Sequence, residues 1–592
     1  MQNNELIEQL NLPYRPEAFI RITFDMIDPD TNPIKSVNGE TNYSDFANLD
    51  EEKEQEKNYA TLEKNFWRLD DSQPLLESEE LYQKYTSSYM SNAECIYEEK
   101  PQIQLVSDEY VTTVGITISF DRITEDYPSL LNIKAYKDDK EIMDKDYEIH
   151  DFKENLIFAD NEELVNWNKI VITILKSKYP YRRCRIQQLI VGIREVYKKE
   201  NIANAEVNEK RTFINSVLPI HNFKFCLVNK DQKFNPDNPQ GWYRYILEKQ
   251  PIKYEWGYTM PDGNIEWVLA GQMLLSGSVE ADDKTATFSA TNIISYLSDI
   301  YKKGVYRQDG ASMYDLAIEI FNDSELGPAN YVIDEKLKSI YTNAPLPKLP
   351  KNQLLQLIAT ASKCELYVDE NNVIYITPVK HEIIDTIEKK SYMTKPRVAL
   401  QPPLKNVIVN INNYVVSNEV SEIYKVENLQ IGDKKTIAIE YPLATDIVAE
   451  VTNGTITEAH YCAQYAVLTI TSENSVNLII KGRKIEKTLI QQVSNYHETG
   501  EDISYSNDLL TLQSESGSTM SISKFIGSWY NCRNLYDMDT RGLPLDRAGS
   551  TVYFPTDFSD KLQGYIVEHQ LSFSGRFSGK ETILKIGDGN VD

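Results

Sequence analysis

The chain is poor in several things that would otherwise name a function. Cysteine is scarce, with Cys95, Cys184, Cys226, Cys364, Cys462 and Cys532 scattered singly through 592 residues. That spacing excludes a disulfide scaffold and a paired-cysteine zinc site, and the six read as reduced core thiols. Histidine is as scarce, at His150, His221, His381, His460, His497 and His569. A histidine-based metal or catalytic centre would have to be assembled from distant segments. Positive charge is in deficit: 62 Lys and Arg stand against 89 Asp and Glu, a net charge of -27. This is the opposite of the basic footprint that holds nucleic acid by its phosphates, so stable DNA or RNA binding is not expected. A surface that DNA passes without sticking remains compatible with it. Long apolar runs are missing too, and nothing approaches the ~20 residues a membrane-spanning helix needs. The opening MQNNELIEQL has no basic start, apolar stretch or small-residue cleavage site, so no secretory route is expected. Asn453-Gly454-Thr455 matches a glycosylation sequon but reads as a hairpin turn.

Catalytic signatures are also lacking. The sequence contains no P-loop, Rossmann glycine fingerprint, GxSxG elbow, HExxH or paired CxxC. Asp28, Asp30 and Asn32 begin like a calcium loop, but Pro33 stands where an EF-hand requires glycine. With 89 acidic residues, no glycosidase pair can be singled out. The expectation is a non-enzyme with no cofactor and no metal.

What is present is strand pattern. A chain of this length exceeds one core and divides into several domains. In EAFIRITFDMI, Ile20, Ile22, Phe24 and Met26 alternate with polar residues, the period of a half-buried strand. From Asp28 to Lys57 the chain is polar and ends in EEKEQEK, which reads as an exposed linker, so residues 1–58 form an N-terminal strand and acidic linker. Residues 59–200 carry short bursts (IQLV, GITISFD, LNIKAY, KIVITIL) separated by turns, the rhythm of a β-sandwich. Strand patterns continue through FKFCLVN, EWVLAGQMLLSG and TATFSA, within 201–298. The period then changes. ATNIISYLSDIY places Ile293, Ile294, Leu297, Ile300 and Tyr301 at helical spacing, and MYDLAIEIF follows Ser312 as a helix cap. QLLQLIATAS adds a helix before the strands CELYVD and NVIYITP, which turn at Glu370-Asn371-Asn372, giving an α+β domain over 299–385. A second β domain spans 386–520, and 521–592 opens with a helix presenting Ile522, Phe525, Ile526, Trp529, Tyr530 and Tyr536 and ends in strands.

Tyrosine is abundant at 38 residues. In KYPYRRCR, Tyr179, Tyr181, Arg182 and Arg183 cluster at the end of the expected sandwich. With Trp167 they are the candidate glycan-binding residues, because aromatic faces stack on sugar rings and guanidinium forks bind hydroxyls. Core packing is the competing reading for Tyr181, Trp67 and Trp167, and neutralisation of acidic neighbours for the arginines.

The segments FNPDNPQGWYRYI, QPIKYEWGYTMPDGNIEWVLAG and LLSGSVEADDKTATFSA, between Phe234 and Ala290, together resemble minor tail or tail-hub proteins of phages and prophages. SMYDLAIEIF, QLLQLIATASKCELYVDENNVIYITP and YIVEHQLSFSGRFSG are similar to elements found in the same order in that family, so the resemblance covers about residues 205–590. RGLPLDRAGSTVYF resembles a family element that carries an Asn-Pro and a Gly-Asp pair; Leu543 and Ser550 stand there instead, and no specific role is carried over. ATLEKNFWRLD, GITISFD and PYRRCRIQQLIVGI resemble a discoidin-like or carbohydrate-binding sandwich inserted into the hub.

The resemblance implies a mainly β multidomain fold, β-barrels plus a β-sandwich with a small α+β domain, with one strand ending at FNPDNP. It implies a tail-tip or baseplate hub subunit, closing with copies of itself into a homotrimeric ring in the virion tail. Its implied partners are other tail or baseplate proteins and host cell-surface polysaccharide, with DNA only in transit past a carboxylate-lined wall. A stand-alone glycan-binding protein and a tail-associated cell-wall hydrolase are the rival readings; the first leaves residues 205–590 without purpose and the second lacks a catalytic constellation.

Overall fold

In the computed structural model, residues 17–26, 36–39, 85–113, 115–120, 126–150, 155–158, 164–212, 214–238, 241–243, 246, 248–261, 263–324, 326–514 and 521–588 are described, with Leu6, Gln9, Leu10, Leu12 and Arg15. The segment ATLEKNFWRLD with Trp67, the apparent calcium loop and EEKEQEK lie outside the described residues. Among the described residues no helix is long and apolar enough to cross a membrane.

The alternation at the N-terminus does what its period dictates. Ile20, Ile22 and Phe24 are fully buried in the strand Ala18–Met26, which runs antiparallel between Ile193–Lys198 and Pro251–Thr259. It belongs to a 14-stranded sheet whose path continues through Ile265–Leu275, Thr285–Thr291, Asn222–Val228, Ile202–Lys210, Leu562–Phe573, Phe577–Asp588 and Asn534–Thr540 to Arg397–Leu400. Its inner face is aromatic. Phe223 stacks on Tyr254 at 3.9 Å and Phe225 on Phe288 at 5.0 Å, and Trp256 meets Phe577 edge-on at 5.2 Å. The last contact joins strands far apart along the path, so the sheet curls round this core.

It does not close. The terminal strands of the path, Ile193–Lys198 and Arg397–Leu400, are not paired with each other among the described residues, whereas a barrel requires its first and last strands to hydrogen-bond. The expected hub barrel is therefore an open, curled sheet. FNPDNP does not end a strand either: the strand stops at Val228, and 229–238 is a run of turns pinned by buried Phe234.

The chain leaves this sheet at Met26 and re-enters it at Ile193. Between them lie two facing sheets. One orders Ser36–Gly39, Gln102–Thr113, Leu164–Ser177, Pro128–Lys137 and Lys140–Glu148; the other orders Tyr85–Thr86, Arg185–Val191, Ile116–Phe120 and Asn155–Phe158. Trp167, Ile118, Phe120, Ile133 and Ile172 fill the space between them, a sandwich core of its own. Ser36–Gly39, inside the stretch read as linker, is thus an edge strand.

The α+β unit forms from helix α1 (Met313–Asp323), helix α2 (Lys351–Ala361) and the hairpin of Cys364–Val368 with Ile374–Pro378. The Ser312 hydroxyl accepts the Asp315 amide at 3.0 Å and donates to its carboxylate at 2.7 Å, satisfying groups that a helix start leaves free. The helical spacing of 293–301 yields only a 3-10 turn, Ile293–Tyr296, because Ile300 and Tyr301 run extended, Ile300 bridging to Pro350.

Residues 404–511 build a second strand region. Leu404–Leu429 and Val476–Asn495 form a long antiparallel ribbon, joined by Ala444–Thr452 and Glu501–Thr511. Lys434–Glu440, Tyr465–Thr471 and Thr455–Cys462 close over its distal half around Leu468, Ile470, Leu478 and Ile480. Helix α3 (Ser521–Tyr530) buries Ile522, Ile526 and Trp529; Tyr536, expected on its face, instead lies in the strand Asn534–Thr540.

Candidate functional site

The KYPYRRCR turn is a joint more than a platform. Tyr181 sits at φ 60°, and Arg182 is buried with its Nε 3.6 Å from Asp126. The Arg182 amide donates to the Ser91 hydroxyl at 3.1 Å, and its carbonyl accepts Tyr97 at 3.1 Å. Arg183 donates to the carbonyls of Ser87, at 2.8 Å, and Ser88. Beside them Arg185 pairs with Asp126 at 2.7 Å, both fully buried. These guanidiniums fasten the turn to residues 87–91 and to Asp126. Trp167 corrects the expectation outright: it is completely buried between the sheets, where no outside ligand can stack on it. Of the five candidates Tyr179 is exposed, at 41%, and Tyr181 is half-buried.

A second cluster, unread from the sequence, lies in the main sheet. Strand parity buries Ala205 and Val207, and the same face continues to Glu209; likewise Leu571 and Phe573 share a face with His569, and Ile583 with Glu581. These polar residues stand at core positions and find one another. Arg547 donates to Glu209 at 2.7 Å, and the Ala548 amide donates to the same carboxylate at 3.2 Å. Arg211 pairs with Glu365, which also accepts the Tyr565 hydroxyl at 3.0 Å, and its guanidinium lies 3.8 Å from the Tyr367 ring centroid. His569 Nδ1 is 2.8 Å from Glu581.

The electrostatics follow from burial and pairing. Burial works against the Glu209 charge, but Arg547, His221, His569 and the Ala548 amide outweigh it and bring its pKa down to about 2. Burial pulls the His221 pKa down, which keeps the ring neutral. Burial also opposes charge on His569, yet Glu581 draws its pKa up.

The seam borders a cavity of about 240 Å³ between the main sheet, the α+β hairpin and the loop 541–550. His221 Nε2, Asn292 Oδ1 and Thr551 Oγ1 line it without a partner among the described residues. The Gly549 backbone, at φ 94°, passes so close to Arg211 that a Cβ there would meet the guanidinium at 2.3 Å. Asp546 and Arg547 thus give the loop RGLPLDRAGSTVYF a structural place that its departures from the family pattern did not suggest. The signal available in the sequence was charge at period-two core positions. Chemically the seam ties three segments together: Glu209 is engaged by arginine, Glu365 by arginine and tyrosine, and Glu581 by histidine.

The third feature is an edge. Among the described residues Arg397–Leu400 pairs on one side only, with Asn534–Asp537, and all four of its residues are exposed. Val398 and Leu400 project from the same face at 58% and 66% exposure. Nearby, Lys395 pairs with Asp557 at 2.7 Å, next to fully exposed Phe558.

No protein-family model matches the chain. No curated protein matches it either. Among solved structures, the chain is similar to the 43 kDa tail protein of prophage MuSo2 from Shewanella oneidensis, at 8% identity and a TM-score of 0.38, over 66% of this chain and 95% of that one. It is similar to the tail protein from Neisseria meningitidis MC58 at 9% identity and a TM-score of 0.37, over 66% and 94%. It is similar also to prophage tail protein gp18 from Listeria monocytogenes EGD-e at 7% identity and a TM-score of 0.34, over 66% and 91%.

Proposed function

We propose that this chain is a structural, non-catalytic subunit of the tail tip of a phage or phage-like particle. It acts as a hub in which three copies close into a ring between the tail tube and the tip or receptor-binding proteins. The observation that carries the reading is that four of the segments resembling tail-hub proteins are strands of one continuous sheet, whose path ends in an edge that is bare among the described residues. EWGY, EWVLAG, TATFSA and YIVEHQLSF are strands of that sheet, and Arg397–Leu400 leaves apolar side chains and one row of backbone groups for another chain. The net charge of -27 suits a wall past which DNA must slide. The inserted sandwich would face outward, with Tyr179 as its exposed aromatic for host-surface glycan.

Light scattering on the purified chain tests the reading, together with deletion of its gene from the particle that encodes it. A closed oligomer and loss of tail assembly are expected. A monomer at all concentrations, with tails assembling normally without it, overturns the hub. Binding on a glycan array by such a monomer would then favour a stand-alone glycan-binding role.

A further inference from the structure

The buried seam contains one acidic group that no cation neutralises. Asp546 is fully buried in the loop 541–550, and neither carboxyl oxygen has a hydrogen-bond donor among the other described groups that carry a fixed proton. Its neighbour is another acid, Asp385, close enough for the two carboxyl groups to share a proton. Asp385 itself accepts the Thr386 amide at 2.7 Å. Two carboxyl groups this close, with Asp546 fully buried and Asp385 half-buried, do not both ionise readily, so the pair holds either a proton or a cation.

The surroundings favour the proton. Among the described residues no group of three His, Cys, Asp or Glu side chains could hold a metal ion. The nearby cations are committed elsewhere: Arg547 to Glu209 at 2.7 Å, His569 to Glu581 at 2.8 Å, and Arg15 to the carbonyls of Leu10, Arg541 and Gly542 at 2.6 to 2.8 Å. The charges facing the pair are acidic, Glu581 from Phe577–Asp588 towards Asp546 and Glu388 from the pair's own segment towards Asp385. Beyond Glu581 stand His569 and Glu209, on Leu562–Phe573 and Ile202–Lys210.

We propose that Asp385 and Asp546 share one proton and form a clamp that locks the loop 541–550 to the strand Ile383–Thr386, and that loss of this proton loosens the junction. The position makes the clamp consequential. Ile383–Thr386 runs parallel to Thr551–Phe554, the strand the loop leads into, so the acids sit where this short pairing begins. That pairing ties the segment following the α+β unit to the main sheet. Burial raises the pKa of both acids, and Asp385 and Glu581 raise that of Asp546 further. In the unfolded chain both groups ionise in the ordinary carboxylate range. Above that range the folded state therefore binds more protons than the unfolded one, and the clamp weakens as pH rises through the folded pKa.

The test uses the full chain, its Asp546→Asn variant and its Asp385→Asn variant. Infrared difference spectra at neutral pH should show a protonated carboxyl band in the wild type that is missing from Asp546→Asn. Hydrogen exchange of 383–386 and 551–554, corrected for intrinsic base catalysis, should accelerate up to about tenfold per pH unit between the ordinary carboxylate range and the pair's raised folded pKa, where the folded state holds about one proton more, and should level off above it. The Asn variants should lose that extra acceleration. A wild type without the band, or variants with the wild-type pH slope, overturns the proposal. If Asp546→Asn does not fold, the wild-type band and the Asp385→Asn slope decide in the same way.

Discussion

Met26 and Ile193 are direct cross-strand partners in the main sheet, although the whole sandwich lies between them in sequence. The insertion therefore enters and leaves through neighbouring positions, and the sheet has the same register on both sides of it. Antiparallel partners stand about 4.5 to 5.5 Å apart, a gap that a two-residue turn spans. Replacing residues 27–192 with Asn-Gly should leave a folded hub with cooperative thermal unfolding and the oligomeric state of the full chain. An unfolded product would mean that the sandwich contributes to the hub's own core.

Strand positions were legible wherever side chains alternated, because a half-buried strand imposes period two on its own sequence. Ile20, Ile22 and Phe24 are one example, and the Ser312 cap of α1 is another local rule that tertiary packing left intact. Lys140–Glu148 was not legible, since an exposed edge strand with no buried residue has no apolar face to advertise it. Sheet closure was not legible either, because pairing between distant strands leaves no local mark. The seam around Glu209 escaped for a different reason: its signal is an exception to alternation, meaningful only once Arg547, more than three hundred residues away, is seen beside it.

Trp167 and Tyr179 should separate packing from recognition. Trp167→Ala empties the sandwich core and should cost about 3 to 5 kcal/mol in the isolated unfolding transition of that module. Tyr179→Ala removes an exposed ring and should change stability by no more than about 0.5 kcal/mol. Denaturant titration measures both. On a glycan array, only the Tyr179 substitution should weaken binding while the fold is retained.

Glu209 and Arg547 should behave as a buried pair broken from one side. Glu209→Gln keeps the shape but leaves Arg547 without its counter-charge, at a cost of about 3 kcal/mol, the low end for such pairs because Arg547 is partly exposed. The pH dependence carries a sign. The Glu209 pKa falls from an ordinary 4.5 to about 2 in the folded protein, so its contribution is complete above the ordinary value and is lost as pH falls through about 2. Between about pH 4.5 and 2 the wild type should lose stability more steeply than Glu209→Gln in denaturant titrations.

The exposed edge makes the most direct prediction about assembly. Arg397–Leu400 bonds to Asn534–Asp537 on one side, its other row of amides and carbonyls is open among the described residues, and Val398 and Leu400 add apolar surface beside it. Lysines on an edge strand block strand addition by placing charge where a partner must desolvate it. Neither side chain packs in the monomer, so Val398→Lys with Leu400→Lys should leave Tm within a few degrees of wild type, since exposed substitutions shift stability by no more than about 0.5 kcal/mol. Light scattering should report a monomer where the wild type forms its closed oligomer. Phe558→Ser, next to the same edge, should weaken association without abolishing it. If the double-lysine chain still assembles with wild-type stoichiometry, the copies meet through a different surface and this edge belongs to another tail component.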